Sequence, residues 1–455
     1  MGHADSGKAI KVIREKLYRD PIHDLIALDK NSHEDCTLIE LIDAPEIQRL
    51  RRIRQLGLAS LAYQGAEHSR FTHSIGAMWV ATRIITQLNK ERVIPPRVAF
   101  ATRCAALLHD IGHGPLSHVF EKFMGVHHER WTRDIILSHE SVTHHILARH
   151  HASLPGEVVA IIEGRSHPPF LSQIISSQLD ADRFDYLLRD SVMTGVKYGI
   201  YDFERLLHVL RLDPRGENIV VAPNGIQPVE KYLQSRYHMY SQVYLHKTVR
   251  AGETAFEKLL LRASDLAKKN ALPALHADEP FARLLKAKDK TLLEDYLQLD
   301  DDVVYASLQR WRKCDDDILC DLANRVIERR IFKTLDVSKV KGLAAKAKLA
   351  RLAIREAGLD PRYYFAIDTS GDVPYRPYDP RIPSTQSHIM VEPFPGGSPC
   401  RDIHELSEVV AGLARAAFTI KRAMFPESAN GIDLRRRMSE IFLDHAAADG
   451  FLPRD

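Results

Sequence analysis

The chain has 455 residues, which at roughly 150 residues per domain makes two to three domains or one large elaborated one. Lysines and arginines number 63 against 60 aspartates and glutamates, a formal charge of +3, too weak a field to coat nucleic acid by charge alone. With 45% apolar and 27% charged residues, the composition is that of a globular protein and excludes collagen-like, wholly disordered and membrane classes. No apolar run approaches about eighteen residues, and Met1–Lys11 lacks the apolar stretch of a secretory leader. The five cysteines are scattered and form no C-x-x-C pair, which points to a reducing, cytosolic compartment.

In chain order, Leu17–Leu28 alternates around Asp20-Pro21 and predicts a strand pair. From Ile39 to about Leu266 the pattern is mostly helical. Ile47, Leu50 and Ile53 recur at helical spacing, as do Ile75, Met78, Val80, Ile84 and Leu88, then Val98, Ala101, Ala105 and Leu108. Gly112-His113-Gly114-Pro115 breaks the chain just after His109, with Pro115 placed to open the next helix. A second strand pair is expected at Val209–Leu212 and Ile219–Ala222, joined by Asp213-Pro-Arg-Gly. After Ala251 come Lys-, Leu- and Ala-rich helical segments, among them Asp317–Arg330 and Lys339–Glu356. Eight prolines between Pro361 and Pro399 exclude long helices there and suggest strands and turns, and Ile403–Met424 reads as a closing helix. The fold class is mainly α with short β-hairpins: a helical core over residues 1–250, and a C-terminal extension over 251–455, helical then Pro-rich α+β, packed on it.

Histidine is the unusual residue, with 23 in the chain and thirteen of them between His68 and His167. His109-Asp110 ends an apolar helix, so an imidazole and a carboxylate project from one rigid point, a pairing that suits borderline divalent metals. Alone the dipeptide means little. Arg70-Phe-Thr-His73-Ser upstream supplies another imidazole at a helix start, and Asp180-Ala-Asp182-Arg-Phe-Asp185-Tyr186-Leu-Leu-Arg189-Asp190 packs four acids and two arginines into one amphipathic segment. Two imidazoles and two carboxylates would hold one ion and leave positions open for water and phosphate.

With RFTHS, LLHDIGHGPLSH, SHES, LDADRFDYLLRD and YLHK in this order, the chain from about Leu17 to Arg250 resembles the HD-domain phosphohydrolase superfamily. Within it, the likeness is to the deoxynucleoside triphosphate triphosphohydrolases, whose fold is a helical metal-binding core and whose products are deoxynucleoside and triphosphate. The resemblance implies His73, His109, Asp110 and Asp182 as ligands of a divalent ion, with Mn, Fe, Mg, Co, Ni and Zn all admissible. It implies His113, His118 and the pair His139-Glu140 facing the phosphates, where a histidine oriented by a carboxylate can move a proton near neutral pH. Arg70, Arg183, Arg236 and Tyr186 are implied as phosphate contacts. Gln55 and Asp190 would bind the 3′-hydroxyl, and Tyr244 would lie under the deoxyribose and exclude a 2′-hydroxyl. Lys16, Asp43, Gln48 and Arg51 match a guanine-selective activator site, which would take GTP or dGTP in a homo-oligomer, dimer or tetramer; Gln48-Arg49-Leu50-Arg51 also reads as a solvated helix face. The substrate implied is a dNTP, with no membrane partner and with nucleic acid permitted but not required. Two other readings stand beside this one: a phosphomonoesterase or phosphodiesterase of the same superfamily acting on another nucleotide, and a non-catalytic nucleotide or nucleic-acid sensor.

Overall fold

A computed structural model describes residues 14–372, 375, 388–416 and 418–443. The architecture is mainly α. It opens on the hairpin β1 (Glu15–Asp20) and β2 (Asp24–Asp29), in register Leu17 with Ala27, as Asp20-Pro21 predicts. Next come α1 (His33–Asp43), capped by Ser32, and the short α2 (Pro45–Arg49). The antiparallel heart follows as α3 (Arg70–Leu88) and α4 (Pro96–Leu108), which starts on a proline at its first turn and ends against His109. Then come α5 (His118–Met124), α6 (His128–Leu137), α7 (Val142–His150), α8 (Leu154–Ile162) and α9 (Phe170–Ile175), of which α8 and α9 pack on α4. The helix α10 (Ala181–Thr194) is capped by the Asp180 carboxylate at Arg183 N–H and closed by Gly195 in the left-handed conformation.

α10 packs along α3 at close range, and Gly76 is what permits it. A Cβ there would stand 2.0 Å from Asp185 Oδ1 and 2.3 Å from Arg189 Nη2, so only glycine fits the buried ion pair of the neighbouring helix. After α11 (Phe203–His208), the hairpin β3 (Leu210–Leu212) and β4 (Ile219–Val221) forms as predicted. Then α12 (Ile226–Met239) leads into a π-type turn over Tyr240–Tyr244, with Leu245 N–H donating to the Tyr240 carbonyl at 3.0 Å, and into α13 (Lys247–Lys268). The division drawn at residue 250 falls inside α13.

Beyond α13 the chain is helical up to Ile327, including α14 (Pro280–Ala287), α15 (Leu293–Leu297) and α16 (Asp301–Trp311). A three-stranded antiparallel sheet then forms from Lys333–Asp336, Phe418–Phe425 and Ala366–Asp372, in that order. The closing helix expected over Ile403–Met424 is thus corrected: a helix covers only Glu408–Arg415, and Phe418–Phe425 is the central strand. Ala423, Met424 and Phe425 are all buried, so this strand lacks the in-out alternation that would have marked it. The Pro-rich segment returns to the front half: Met390–Val391 pairs in parallel with β4, Val221 beside Val391.

Two large apolar cores result. One gathers α1–α4 and α7–α12 with Tyr375, Ile389, Val391, Ile403 and Val410; the other gathers α5, α13 and the C-terminal helices and sheet. Among the described residues, no helix is long and apolar enough to cross a membrane.

Candidate metal centre

His73 enters from the first turn of α3, His109 and Asp110 from the end of α4, and Asp182 from the first turn of α10. His73 Nδ1 lies 2.8 Å from Asp185 Oδ2 and His109 Nδ1 lies 2.8 Å from the Ala106 carbonyl. Both partners only accept, so each Nδ1 carries a proton and each Nε2 is the atom left to face the carboxylates. His73 Nε2 is 3.1 Å from Asp182 Oδ1 and 3.7 Å from Asp110 Oδ2, and His109 Nε2 is 3.3 Å from Asp110 Oδ1 and 3.5 Å from Asp182 Oδ1. At this range a proton or a metal ion has to lie between nitrogen and carboxylate. Donors bound at about 2.0–2.2 Å to one ion sit about 3.0–3.6 Å apart, so the residues present fit one divalent ion.

The ring positions are held from behind. Asp185, buried, accepts from both Arg189 Nε and Nη2 at 2.8 Å and lies 2.8 Å from His23 Nε2 of the first hairpin; Asp20 Oδ2 takes Arg189 from the other side at 2.9 Å. Asp110 is met by Arg70 Nη1 at 2.5 Å, and Arg70 Nε donates to Ser117 Oγ at 2.8 Å.

Burial opposes a proton on His73, but hydrogen bonding to Asp182 and Asp185 and the charge of Asp110 outweigh it and raise its pKa to about 10. An ion must displace that proton. Affinity for Mn2+ is therefore expected to rise about tenfold per pH unit across the neutral range. Mn2+ titrations at pH 6, 7 and 8 check this, and a pH-independent Kd would refute the proton displacement.

A cavity of about 380 Å3 opens beside the four donors. Gln55, Arg70, Asp110, His113, His118, Asp182, Arg183, Tyr186, Asp190 and Tyr244 line it, together with residues that sequence reasoning did not assign: Ser117, His128, Tyr240, Arg250 and Glu253. At the far end Tyr244 Oη donates to Asp190 Oδ2 at 2.8 Å, while His68 Nε2 is 2.8 Å from Asp190 Oδ1. Burial and the Asp190 charge push the Tyr244 phenol well above its ordinary range, so it stays a donor. Arg183 pairs with Asp180 at 2.6 Å and keeps about a quarter of its side chain exposed.

The loop Gly112–Ser117 is bent and braced. Leu116 and Ser117 have φ of +52° and +56°, which costs non-glycine residues about 1–3 kcal/mol each. A distant segment holds them. Tyr296 Oη donates to the Gly112 carbonyl at 2.8 Å, Arg49 Nη1 to the His113 carbonyl at 2.9 Å and Arg49 Nε to the Leu299 carbonyl at 2.8 Å. Asp301 accepts the N–H of Leu116 at 2.7 Å and that of Arg54 at 3.0 Å. His113 stacks on His128 at 3.8 Å, and burial, Arg70 and His128 hold its pKa well below the ordinary value.

Three groups of expected residues lie away from the cavity or against other partners. His139 and Glu140 sit exposed in the turn between α6 and α7 and do not line the cavity; His128, one helix earlier and next to Glu129, does. Gly112 is the reason: a Cβ there would stand 2.3 Å from the His128 carbonyl, so its absence lets the start of α6 close on the loop. Arg236 is buried behind the cavity wall, donating to Gln178 Oε1 at 2.8 Å with its guanidinium 5.4 Å from the Tyr240 ring. At the suggested activator site, Gln48 spends both ends of its amide, on the Ile42 carbonyl and on Arg51 Nε, each at 2.8 Å. Asp43 is exposed, and the group gathers about Tyr18: Lys16 Nζ lies 5.8 Å from its ring, and burial together with the Asp43 charge pushes its phenol up to about 12.

The profile of the HD domain matches residues 70–190, and that of the HD associated region matches residues 201–279. The uncharacterized protein YwfO of Bacillus subtilis is 36% identical over 421 residues, 92% of this chain and 93% of its own. The deoxynucleoside triphosphate triphosphohydrolase SAMHD1 of Danio rerio is 26% identical, with 74% of this chain and 59% of its own covered. A solved phosphohydrolase of Bacteroides thetaiotaomicron superposes with a TM-score of 0.76 at 30% identity, over 91% of this chain and 100% of that one.

Proposed function

Given that the chain belongs to the HD-domain phosphohydrolase superfamily, a metal-binding hydrolase family, we propose that it is a deoxynucleoside triphosphate triphosphohydrolase. The observation that carries this reading is the layout of α10. Asp182, Arg183, Tyr186 and Asp190 follow one another along the cavity, and the eight steps from Asp182 to Asp190 rise about 12 Å along the helix. That separation leaves room for a pentose and its first phosphate between the ion ligands and the Asp190–Tyr244 pair. An ion held by His73, His109, Asp110 and Asp182 would polarise a phosphoryl oxygen. Arg70 and Arg183 offer charge-assisted hydrogen bonds to the phosphates. Asp190 and Gln55 offer acceptors to a 3′-hydroxyl, and the Tyr244 ring closes the space a 2′-hydroxyl would need. His118, whose Nδ1 is 3.0 Å from Glu121 Oε2, is the group placed to protonate the leaving 5′ oxygen.

Water attack at the α-phosphorus, with cleavage of the bond to O5′, releases triphosphate in one piece. Incubation with each dNTP and NTP in Mn2+ is expected to yield deoxynucleoside and inorganic triphosphate, with dATP cleaved well ahead of ATP. Tyr244→Ala should narrow that gap. Formation of dNMP with pyrophosphate, or equal rates on ATP and dATP, would overturn the reading.

Through their likeness to a guanine-selective activator site, Lys16, Asp43, Gln48 and Arg51 would carry a regulated form of the same activity, with nucleotide replacing the bonds of Gln48 to Ile42 and Arg51. A nucleotide at this site changes the rate only if it binds one assembly state better than another. GTP or dGTP is expected to raise both the oligomeric fraction in sizing chromatography and the rate on dATP, and Asp43→Ala to remove both responses with metal content intact. Unchanged mass and rate would return the four residues to a solvated surface.

A further inference from the structure

Outside the four-donor centre, three imidazoles converge on one carboxylate. Glu121, on α5 and 14% exposed at its side chain, has His118 Nδ1 at 3.0 Å, His128 Nδ1 at 3.3 Å and His127 Nε2 at 3.3 Å. The donor atoms of His118, Glu121 and His128 all lie within 4.8 Å of one another. Among the described residues, no lysine or arginine pairs with Glu121; the adjacent Lys122 is taken by Glu257 at 2.7 Å. Burial opposes ionisation of Glu121, but hydrogen bonds from His118 and His128 outweigh it and hold the carboxyl far below its usual range. Besides these imidazoles the carboxylate accepts from the His128 backbone N–H, at 3.1 Å. The His127 and His128 rings are 4.7 Å apart and inclined by 31°, a distance at which two protonated rings repel. A cation bound through nitrogen meets both conditions at once. Donor separations of 3.0–3.3 Å are those of neighbouring ligands on an ion with bonds of about 2.0–2.2 Å.

We propose that His118, Glu121 and His128, with His127 at the rim, form a second divalent-cation site, distinct from the His73–His109–Asp110–Asp182 centre. Two imidazoles and one carboxylate favour zinc-class ions over Mg2+ or Ca2+. Ions reach it through a hollow of about 590 Å3 that His118, Glu121, Lys122, His127 and Glu253 line on the solvent side of α5. Resting on the proposed hydrolase reading, occupancy has a consequence: the ion takes Nδ1 of His118 and its Glu121 partner, so excess zinc withdraws the proton donor and inhibits.

Metal counting tests the site without reference to turnover. Full-length protein is stripped with chelator, reloaded with Zn2+, desalted and analysed by plasma mass spectrometry, with Co2+ absorption as a second readout. Wild type is expected to hold two equivalents, Glu121→Gln one, and Asp182→Asn one, retained at the second site. His118 is 73% exposed at its side chain, so His118→Ala keeps the fold and should also fall to one equivalent. Saturation of wild type at one equivalent, or two equivalents persisting in both Glu121→Gln and His118→Ala, overturns the proposal. Absence of hydrolysis under all conditions would overturn the dNTP reading and leave this count standing.

Discussion

Asp182→Asn is expected to leave a folded protein that has lost both its ion and its turnover. Asp182 points one oxygen at the Nε2 atoms of His73 and His109, 3.1 and 3.5 Å away, from the rim of the centre, where its side chain is 35% exposed. No buried guanidinium depends on it as its ion-pair partner, so the change in stability should stay within about 1 kcal/mol. A bound ion contributes several kcal/mol to a phosphoryl-transfer transition state, so activity should fall on the order of 10^3-fold. Asp110→Ala removes ion and activity too, but also strands Arg70, which is 3% exposed and pairs with Asp110 at 2.5 Å. A buried charge without its partner costs about 3–5 kcal/mol, so the two variants should separate in Tm while agreeing in metal content and rate. Full activity in a His109→Ala, Asp110→Ala double variant would sink the ligand assignment.

Asp185→Ala should give the largest loss of stability of any substitution around the site. The carboxylate joins His23, His73 and Arg189, all three buried at the side chain. Its removal leaves Arg189 with Asp20 alone and two imidazole donors without acceptors, at a cost of about 3–5 kcal/mol. Ion affinity should drop about 10- to 100-fold as His73 loses its orienting bond. The pH dependence has a definite sign. Burial raises the Asp185 pKa, but Arg189, His23 and His73 outweigh it and hold it well below the usual carboxylate range. The stabilisation is therefore full above the unfolded-state pKa of about 3.9 and disappears as pH falls through the folded value. Denaturant titrations at pH 7 and pH 3 should show the wild-type advantage shrinking; an equal gap at both would contradict the assignment.

The hairpins were legible because Asp20-Pro21 and Asp213-Pro-Arg-Gly punctuate alternating runs, and the meeting of His73, His109, Asp110 and Asp182 was legible because each stands at a helix end. Asp185 was visible as one acid of four in its segment, yet its role was not. Three residues beyond Asp182, it turns toward α3, and only the bare surface of Gly76 makes that face accessible. His128-Glu129 and His139-Glu140 are the same dipeptide eleven residues apart, and nothing in their spacing says which one packs on Gly112. Glu121 looked like any helix surface acid. Its value comes from His118, one turn earlier on α5, and from the loop that folds His127 and His128 back over it. The strand Phe418–Phe425 was read as helix because burial on both faces erases the period that distinguishes the two.

The brace between Asp301 and Leu116 also sets a clock on biosynthesis. The partners are 185 residues apart, and at about 5–20 residues per second the ribosome needs roughly 10 to 40 s to go from one to the other. From the translation of Asp182 until that of Asp301 all four candidate ion ligands are already made, but the Leu116–Ser117 bend lacks its Asp301 brace. A nascent chain thus holds the four candidate ligands before the loop that carries His113 and leads to His118 is fully braced. On the hydrolase reading proposed above, a prematurely terminated chain ending before Asp301 is expected to turn over nucleotide more slowly than the full chain, because it lacks the Leu116 brace.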